Sequence, residues 1–223
     1  MLEFLLINLF FEENTVMQKL FRKVFRHTNY YLNRELKNCR TVIDLGCGSN
    51  SPIAGMCITY SVGVDLSKIC LLEAKSKGIY DECVWMDVRS LGFRFKSFDC
   101  AVALDVLEHV EKSEGFQMLE EIEKIAREKV IVQTPNGFVL QKDGSPLQIH
   151  RSGWGVDDFL KRGYTVRGMA GLKILRGERA QLRFKPKIFW AVISGITQFI
   201  VYRFSRFAYH LFSVRLLNRR KVC

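Results

Sequence analysis

The sequence predicts an α/β fold with a doubly wound, mostly parallel sheet of seven strands. From residue 41, short runs rich in Val and Ile alternate with stretches of helical length, and such runs suit strands covered on both faces. Strands that alternate with helices predict a parallel sheet with right-handed crossovers. The chain has 223 residues, which is enough for one large domain and too few for two ordinary ones.

The seven predicted strands differ in how regular they are. The first five have nearly continuous apolar content, whereas polar residues interrupt the last two. The strands are expected at residues 41–45, 61–65, 83–86, 98–104 and 129–134, and then at 164–169 and 179–184.

Capping residues mark the helices between these strands. Ser67 precedes an apolar helical stretch that Gly78 would end. Ser113 opens a second helix over residues 113–128, with Glu in its first turn and apolar residues spaced at three. A shorter helix is expected over residues 155–163.

Three regions follow from this pattern. Residues 1–40 form an N-terminal extension of one or two aromatic-rich amphipathic helices, and residues 41–184 form the main domain. Residues 185–223 form a basic, aromatic region with an amphipathic helix over 186–218, opened by Pro186 at a favourable first-turn position.

The net charge of +11 is concentrated at the C-terminal end. Residues 179–223 hold ten basic side chains and no acidic one, whereas residues 41–178 hold 17 basic and 19 acidic side chains. Whatever this charge attracts, a nucleic acid or an anionic membrane, should therefore meet the C-terminal segment first.

The cysteines indicate a reducing compartment. Their number is odd, seven, and they include no C-x-x-C pair, which argues against a disulfide framework and a zinc knuckle. The N-terminal stretch has no basic region or small-residue cleavage site, so we do not interpret it as a signal peptide. We expect a cytoplasmic protein, or one that is peripheral on the inner face of the membrane.

The first predicted strand ends in a glycine pair. Gly46 and Gly48 would lie at the carboxyl edge of the sheet, where ligands bind in open α/β folds. Glycine permits both a tight turn and a close approach of a ligand to the backbone. The alternative is a plain turn, because Ser51 stands where a third glycine would complete G-x-G-x-x-G.

Acidic residues end the next two strands beside the same expected cleft. Asp65 is placed to accept hydrogen bonds from both hydroxyls of a ribose. Asp87 is placed to accept one from an exocyclic amine, with Met86 and Val88 flanking a flat ring. An acidic rim suits a ligand with a cationic centre, an amine and a ribose better than one rich in phosphate.

Five segments, in order, resemble the motifs of class I S-adenosylmethionine-dependent methyltransferases, and among them the small type 11 group. The segments are "VIDLGCGSN", "VGVDLS", "WMDV", "FDCAVALDVLEHV" and "VIVQTPNG". The order and spacing of five motifs are far more specific than one glycine pair. The resemblance implies a Rossmann-like fold with S-adenosylmethionine as cofactor.

The resemblance also assigns the cofactor-binding residues. Asp65 would bind the ribose, and Asp87 with Val88 would bind the adenine. The methionine part would lie against Asp44, Gly46 and Gly48, and Cys47, Leu66 and Leu104 complete the expected set.

Two histidines are candidate catalytic bases, which an alcohol acceptor would need. His109 follows the fourth strand near the expected mouth of the cleft, and His150 follows the fifth. Trp154, with His150 and Arg151, would line the acceptor side of the pocket or, with equal weight, pack the following helix onto the sheet.

The same region raises the question of a divalent metal. Asp105, Glu108 and His109 have the spacing D-x-x-E-H, and His150 would close the set. Metal-using members of the resembled family carry E-x-x-E-H at this place, and Asp105 has a shorter reach than Glu. We therefore expect no metal, and the alternative role for "LEHV" is to cap a helix and shape the pocket floor.

The tail predicts an interfacial helix. Residues 188–202 carry no formal charge and are too short to span a bilayer, which takes about 20 apolar residues. On a helix, one apolar stripe would contain Phe189, Ile193, Ile196, Ile200, Phe204, Phe207 and Leu211, with Arg203, Arg206 and His210 to one side. An anionic membrane, packing onto this chain or a second copy, and nucleic acid are the three partners considered, and nucleic acid suits the stripe least.

These features predict a methyltransferase that transfers a methyl group to a small or lipid-linked acceptor by O- or C-methylation, at or near a membrane surface. Two alternatives stay open: a nucleic-acid methyltransferase guided by the basic tail, and a protein that binds the cofactor without catalysis. The N-P-P-Y motif of amino-methylating nucleic-acid enzymes is replaced by "LDVLEH", which weighs against the first alternative.

Overall fold

A computed structural model of the chain describes residues 28–141 and 146–217. Much of the predicted N-terminal helical extension, residues 1–27, lies outside the described residues, as do residues 218–223. The strands are β1 Thr41–Leu45, β2 Tyr60–Asp65, β3 Glu82–Trp85, β4 Phe98–Leu104, β5 Ala126–Pro135, β6 Thr165–Leu172 and β7 Ala208–Leu216. The helices are α1 Thr28–Leu36, α2 Lys68–Ser76, α3 Lys112–Ile125, α4 Val156–Leu160 and α5 Lys187–Arg203.

The seven strands form one sheet in the order β3-β2-β1-β4-β5-β7-β6. Strands β1 to β5 pair in parallel, and β7 pairs antiparallel with both β5 and β6. The order reverses next to β1, so ligands are expected at the carboxyl ends of β1 and β4. The predicted fold class, a doubly wound, mostly parallel seven-stranded sheet, is confirmed.

The buried core lies on both faces of the sheet. One apolar cluster includes Ile43, Leu119 and Phe159, and the other includes Leu32, Val42 and Cys100. Because both faces are covered, the central strands carry the nearly continuous apolar runs seen in the sequence.

The seventh strand is not where the sequence pattern placed it. Residues 179–184 form no strand; a 3-10 turn covers Glu178–Ala180, and a single bridge joins Arg176 to Leu182. The predicted helix over 186–218 ends at Arg203, and the chain returns as β7 between β5 and β6. The C-terminal region therefore completes the sheet of the main domain, because β5 and β6 each pair with this strand and not with each other.

Two glycines of β6 allow α5 to pack closely on the sheet. A Cβ atom on Gly168 would lie 2.1 Å from the carbonyl oxygen of Val201, and one on Gly171 would lie 2.4 Å from Oγ of Ser194. The Gln198 side chain donates to the Gly168 carbonyl at 2.9 Å and accepts from the Gly171 amide at 3.1 Å.

Among the residues that the structure describes, no helix combines the length and apolar character needed to cross a bilayer.

Helix α3 also begins differently from the prediction. It starts at Lys112, after Glu111, and not at a Ser113 cap. The backbone amide of Glu111 donates to the Glu114 carboxylate at 3.1 Å, which satisfies a free amide at the start of the helix. The helix ends at Ile125, earlier than predicted, because β5 follows it directly.

Candidate cofactor-binding and active site

A cavity of about 330 Å³ opens at the carboxyl edge of the sheet, beside the ends of β1, β2 and β4. Its position matches the ligand site of open α/β sheets. Of the residues predicted to bind the cofactor, Gly46, Gly48, Asp65, Leu66, Asp87 and Val88 line this cavity.

The two glycines after β1 have positive φ angles, +69° at Gly46 and +56° at Gly48, which favour glycine. They differ in their surroundings. A Cβ atom on Gly46 would lie 2.5 Å from Cγ2 of Val106, whereas one on Gly48 would meet no atom within 4 Å. Gly46 is therefore required by packing as well as by conformation, and Gly48 by conformation alone.

Asp65 ties the glycine loop to the start of α2. One carboxylate oxygen accepts a hydrogen bond from the Gly48 amide at 2.8 Å, and the other accepts from the Ser67 amide at 2.7 Å. Ser67 caps α2 as predicted, since its hydroxyl accepts from the Cys70 amide at 3.3 Å. Each carboxylate oxygen keeps acceptor capacity at the cavity wall, because an ionised carboxylate offers about four lone-pair sites.

Asp44 lies beneath the glycine loop and is buried. Its Oδ2 atom accepts hydrogen bonds from the hydroxyls of Ser51 at 2.5 Å and Tyr80 at 2.6 Å. Burial raises the pKa of Asp44 to about 6, against the opposing effect of these two hydrogen bonds. The structure places Asp44, Cys47 and Leu104 behind the loop and the strand end, outside the residues that line the cavity, so they shape the site from behind.

Asp87 is held by an arginine that the sequence analysis missed. The Arg89 guanidinium donates Nε to both oxygens of Asp87, at 3.0 and 3.1 Å, and Nη2 to one of them at 2.7 Å. Its Nη1 donates to Glu114 at 3.1 Å. These hydrogen bonds keep the pKa of Asp87 below its ordinary value. All three side chains line the cavity, so Arg89 links two parts of its wall.

The two candidate histidines lie together, but only His109 lines the cavity. Their ring centroids are 4.9 Å apart in an edge-on arrangement. Nδ1 of His109 lies 3.3 Å from the Ile149 carbonyl, and Nδ1 of His150 lies 2.6 Å from the Val139 carbonyl. A carbonyl requires a donor, so we assign the proton to Nδ1 in both rings, which leaves each Nε2 with its lone pair. Burial lowers the pKa of His109, which favours the neutral ring at pH 7.

Three of the four residues considered for a metal come together. Ligand atoms of Glu108, His109 and His150 lie within 4.8 Å of one another. Glu108 is buried, and its Oε2 has no hydrogen-bond partner among the described residues. Burial raises the pKa of Glu108 well above its ordinary value, which favours its neutral form. One carboxylate oxygen and two imidazole nitrogens fit a divalent transition metal in number and chemistry.

Asp105, the fourth residue of that set, lines the cavity with His109 but is not among the three residues whose ligand atoms come together. Its φ angle is +55°, and its carboxylate accepts from the Gln133 amide at 3.1 Å and lies 3.9 Å from Nε2 of His210. The structure therefore brings together three of the four residues of the alternative metal set, without Asp105. The contact with His210 had no signal in the sequence, because His210 belongs to β7, which was predicted as helix.

Trp154 belongs to the core. Its side chain is 0% exposed, it packs against Phe116 and Phe159, and its indole N–H donates to the Ser152 hydroxyl at 3.0 Å. Its predicted alternative as a lining of the acceptor pocket is therefore wrong, whereas Arg151 does line the cavity. The indole occupies the space above Gly115 of α3, where a Cβ atom would lie 2.4 Å from the ring.

Comparisons with known proteins agree with this geometry. A family described as "Methyltransferase domain" matches residues 43–139. No curated protein sequence matches the chain significantly.

Three solved structures share the fold. A chain of the complex between the Haloferax volcanii Trm112 methyltransferase activator and a putative methyltransferase is 17% identical, with 93% of this chain and 98% of that chain covered and a TM-score of 0.56. The methyltransferase domain of bacterial CtHen1 is 18% identical, with 86% and 97% covered and a TM-score of 0.55. Magnesium protoporphyrin IX methyltransferase from Synechocystis PCC 6803, with bound SAM, is 17% identical, with 95% and 88% covered and a TM-score of 0.52.

The match over residues 43–139 identifies a methyltransferase domain, and the seven-stranded sheet and the cavity at its carboxyl edge agree with this assignment.

Proposed function

We propose that the cavity binds S-adenosylmethionine with its ribose on Asp65. The supporting observation is that Asp65 lines the cavity while it fixes both the glycine loop and the start of α2. The methionine part then lies along Gly46 and Gly48, whose missing side chains let the ligand approach the backbone. The adenine lies near Asp87 and Val88, where its amine shares the carboxylate with Arg89 or displaces it.

In this proposal His109 is the catalytic base. The acceptor nucleophile attacks the methyl carbon, the carbon–sulfur bond breaks with its electron pair going to sulfur, and S-adenosylhomocysteine leaves. The proton of the acceptor hydroxyl or carbon acid passes to Nε2 of His109, which the contact of Nδ1 with Ile149 keeps available. His150 packs against His109 and holds the ring in place. Alignment of donor and acceptor supplies much of the rate, on the order of 7 to 11 kcal/mol in the best intramolecular systems.

The residues present also fit a bound divalent ion, which Glu108, His109 and His150 would hold and which would stabilise an acceptor oxyanion as a Lewis acid. We expect no such requirement, because Asp105 is engaged by the side-chain amide of Gln133 and does not join the other three residues. Turnover of the chelator-treated protein should not change when Mg²⁺ or Mn²⁺ is added. A rise in turnover with either ion would contradict this.

We assign the acceptor to small or lipid-linked molecules methylated on oxygen or carbon, and the protein to the cytoplasmic face of an anionic membrane. Support comes from α5, whose outward side exposes large apolar side chains, among them Phe189, Ile196 and Ile200. Basic residues accompany them, since residues 179–217 contain seven basic residues and no acidic one. A nucleic-acid acceptor would suit a polar, basic surface better than this apolar one.

The test is to incubate the purified protein and S-adenosylmethionine labelled in its methyl group with three acceptor pools: membrane lipid extract, small soluble molecules, and nucleic acid. Label in the first or second pool supports the proposal, and label only in nucleic acid overturns the acceptor assignment. His109→Gln should lower the transfer rate by about 10²- to 10⁴-fold, as expected for loss of a general base, with S-adenosylhomocysteine binding unchanged. An unchanged rate would remove His109 as the base.

A further inference from the structure

Large, exposed apolar side chains lie at the carboxyl edge of the sheet, near the ends of β5 and β6 and the start of β7. We call them the apolar rim. They belong to the segments that follow β5 and β6 and to the segment that precedes β7. The rim consists of Phe138, Leu140, Leu147, Ile149, Ile174, Phe204 and Phe207.

Strand register places these segments at one edge. Pro135, the last residue of β5, pairs with His210, and Leu172, the last residue of β6, pairs with Ala208. The end of β5, the end of β6 and the start of β7 therefore lie side by side. This is the edge at which the cavity opens, because β5 runs parallel to β4 and β1.

The rim is held by the fold and is not a loose tail. The side-chain amide of Asn136 donates to the carbonyls of Ser205 at 3.3 Å, Arg206 at 2.9 Å and Ala208 at 2.9 Å. The Lys173 ammonium donates to the carbonyl of Asn136. A buried asparagine thus joins the segments after β5 and before β7, and Lys173 attaches the segment after β6.

The exposure of the rim is large for phenylalanine. Phe138, Phe204 and Phe207 are 55%, 60% and 62% exposed on this fixed scaffold. Isolated apolar side chains on a surface are ordinary, but several grouped on one side of a cavity, at the same edge of the sheet, indicate a binding surface.

The charged residues beside the apolar rim indicate which kind of partner it binds. Arg151, Arg203 and Arg206 are exposed beside the rim, whereas the described segments 136–141 and 146–151 contain no acidic residue. Arg206 pairs with Asp157 at 2.9 Å, but both side chains are well exposed, so a stronger anion can compete for the guanidinium. Apolar side chains that enter the acyl boundary, with arginines at headgroup level, are the features of an interfacial membrane contact.

The rim also reaches the cavity. Leu147 and Arg151 line the cavity, and Leu147 is exposed as well. We propose that the apolar rim docks on an anionic bilayer and turns the mouth of the cavity toward the lipid, so that a lipid-linked acceptor enters from the membrane side. The route of the acceptor rests on the proposed function, whereas docking itself does not.

The experiment is flotation of the full chain with vesicles of neutral phosphatidylcholine, with or without anionic phosphatidylglycerol. The wild type should float with anionic vesicles, and the Phe204→Ser/Phe207→Ser variant should lose at least tenfold in partitioning. The matched control is Ile69→Ser/Leu72→Ser on α2, which removes two aliphatic side chains that are 71% and 68% exposed and should leave flotation unchanged.

Calorimetry with S-adenosylhomocysteine on the same proteins separates the two proposals. Retained binding in the Phe204→Ser/Phe207→Ser variant, together with lost flotation, supports docking and shows that the variant is folded. Absence of binding in the wild type would count against the proposed function while flotation still reports on docking. Docking is overturned if the variant floats like the wild type, if neutral vesicles serve equally well, or if the phenylalanines instead hold a dimer that light scattering detects.

Discussion

Replacing Asp65 with alanine should abolish most of the affinity for S-adenosylhomocysteine. In the proposed complex the carboxylate accepts hydrogen bonds from two ribose hydroxyls, and a hydrogen bond to a charged group contributes about 1.5 to 3 kcal/mol. The loss is then about 3 to 6 kcal/mol out of the roughly 8 kcal/mol that corresponds to micromolar binding. The dissociation constant should therefore rise at least 100-fold, into the range of about 0.1 mM or weaker.

The variant also loses two hydrogen bonds within the protein, from the amides of Gly48 and Ser67. A control must therefore separate lost stability from a lost ligand contact. Asp81→Ala serves, because Asp81 accepts from the amide and hydroxyl of Ser61, at 2.7 and 2.9 Å, and does not line the cavity. Both variants should unfold at lower temperature than the wild type, but only Asp65→Ala should lose binding.

Isothermal titration calorimetry with S-adenosylhomocysteine measures the affinities, and thermal unfolding followed by circular dichroism verifies that each variant is folded. Binding by folded Asp65→Ala within threefold of the wild type would refute the placement of the ribose. Equal losses in Asp65→Ala and Asp81→Ala would also refute it, because the effect would then follow from stability alone.

Two further predictions concern the glycine loop. Gly46→Ala should reduce the free energy of unfolding by about 2 to 4 kcal/mol, since it adds a clash with Val106 to the strain of a positive φ angle. Gly48→Ala, which adds only the strain, should reduce it by about 1 kcal/mol. Urea denaturation of both variants measures these losses, and equal losses would contradict the prediction. The folded state raises the pKa of Asp44 to about 6, so the contribution of this group to stability is present below pH 3.8 and is lost as pH rises through 6, by roughly 3 kcal/mol. Urea denaturation at pH 4 to 7 should show this fall in the wild type and a smaller fall in Asp44→Asn. Identical pH profiles of the two proteins would disprove the prediction.

The sequence predicts those residues of the site that lie at the ends of strands. Gly46, Gly48 and Asp65 lie at the ends of adjacent strands, so a strand pattern alone brings them to one edge of the sheet. Arg89 was missed, although it lies two residues beyond Asp87, because only the folded chain brings Glu114 to its other side. The interpretation of Trp154 also needed the structure, since an aromatic side chain suits a core and a pocket equally well in sequence.

The sequence by itself determined the parallel part of the sheet, the helix that Ser67 caps and the edge where the cofactor is expected. These features depend on local periodicity, capping and strand ends, which neighbouring residues specify. Only the tertiary structure decided which secondary structure residues 204–216 form. Their apolar residues fit a helical stripe as well as a strand, and a strand buried on both faces lacks the alternation that would distinguish the two. Hydrogen bonds to β5 and β6 on either side make residues 208–216 a strand, and the 3-10 turn before it brings Phe204 and Phe207 to the carboxyl edge, beside His210.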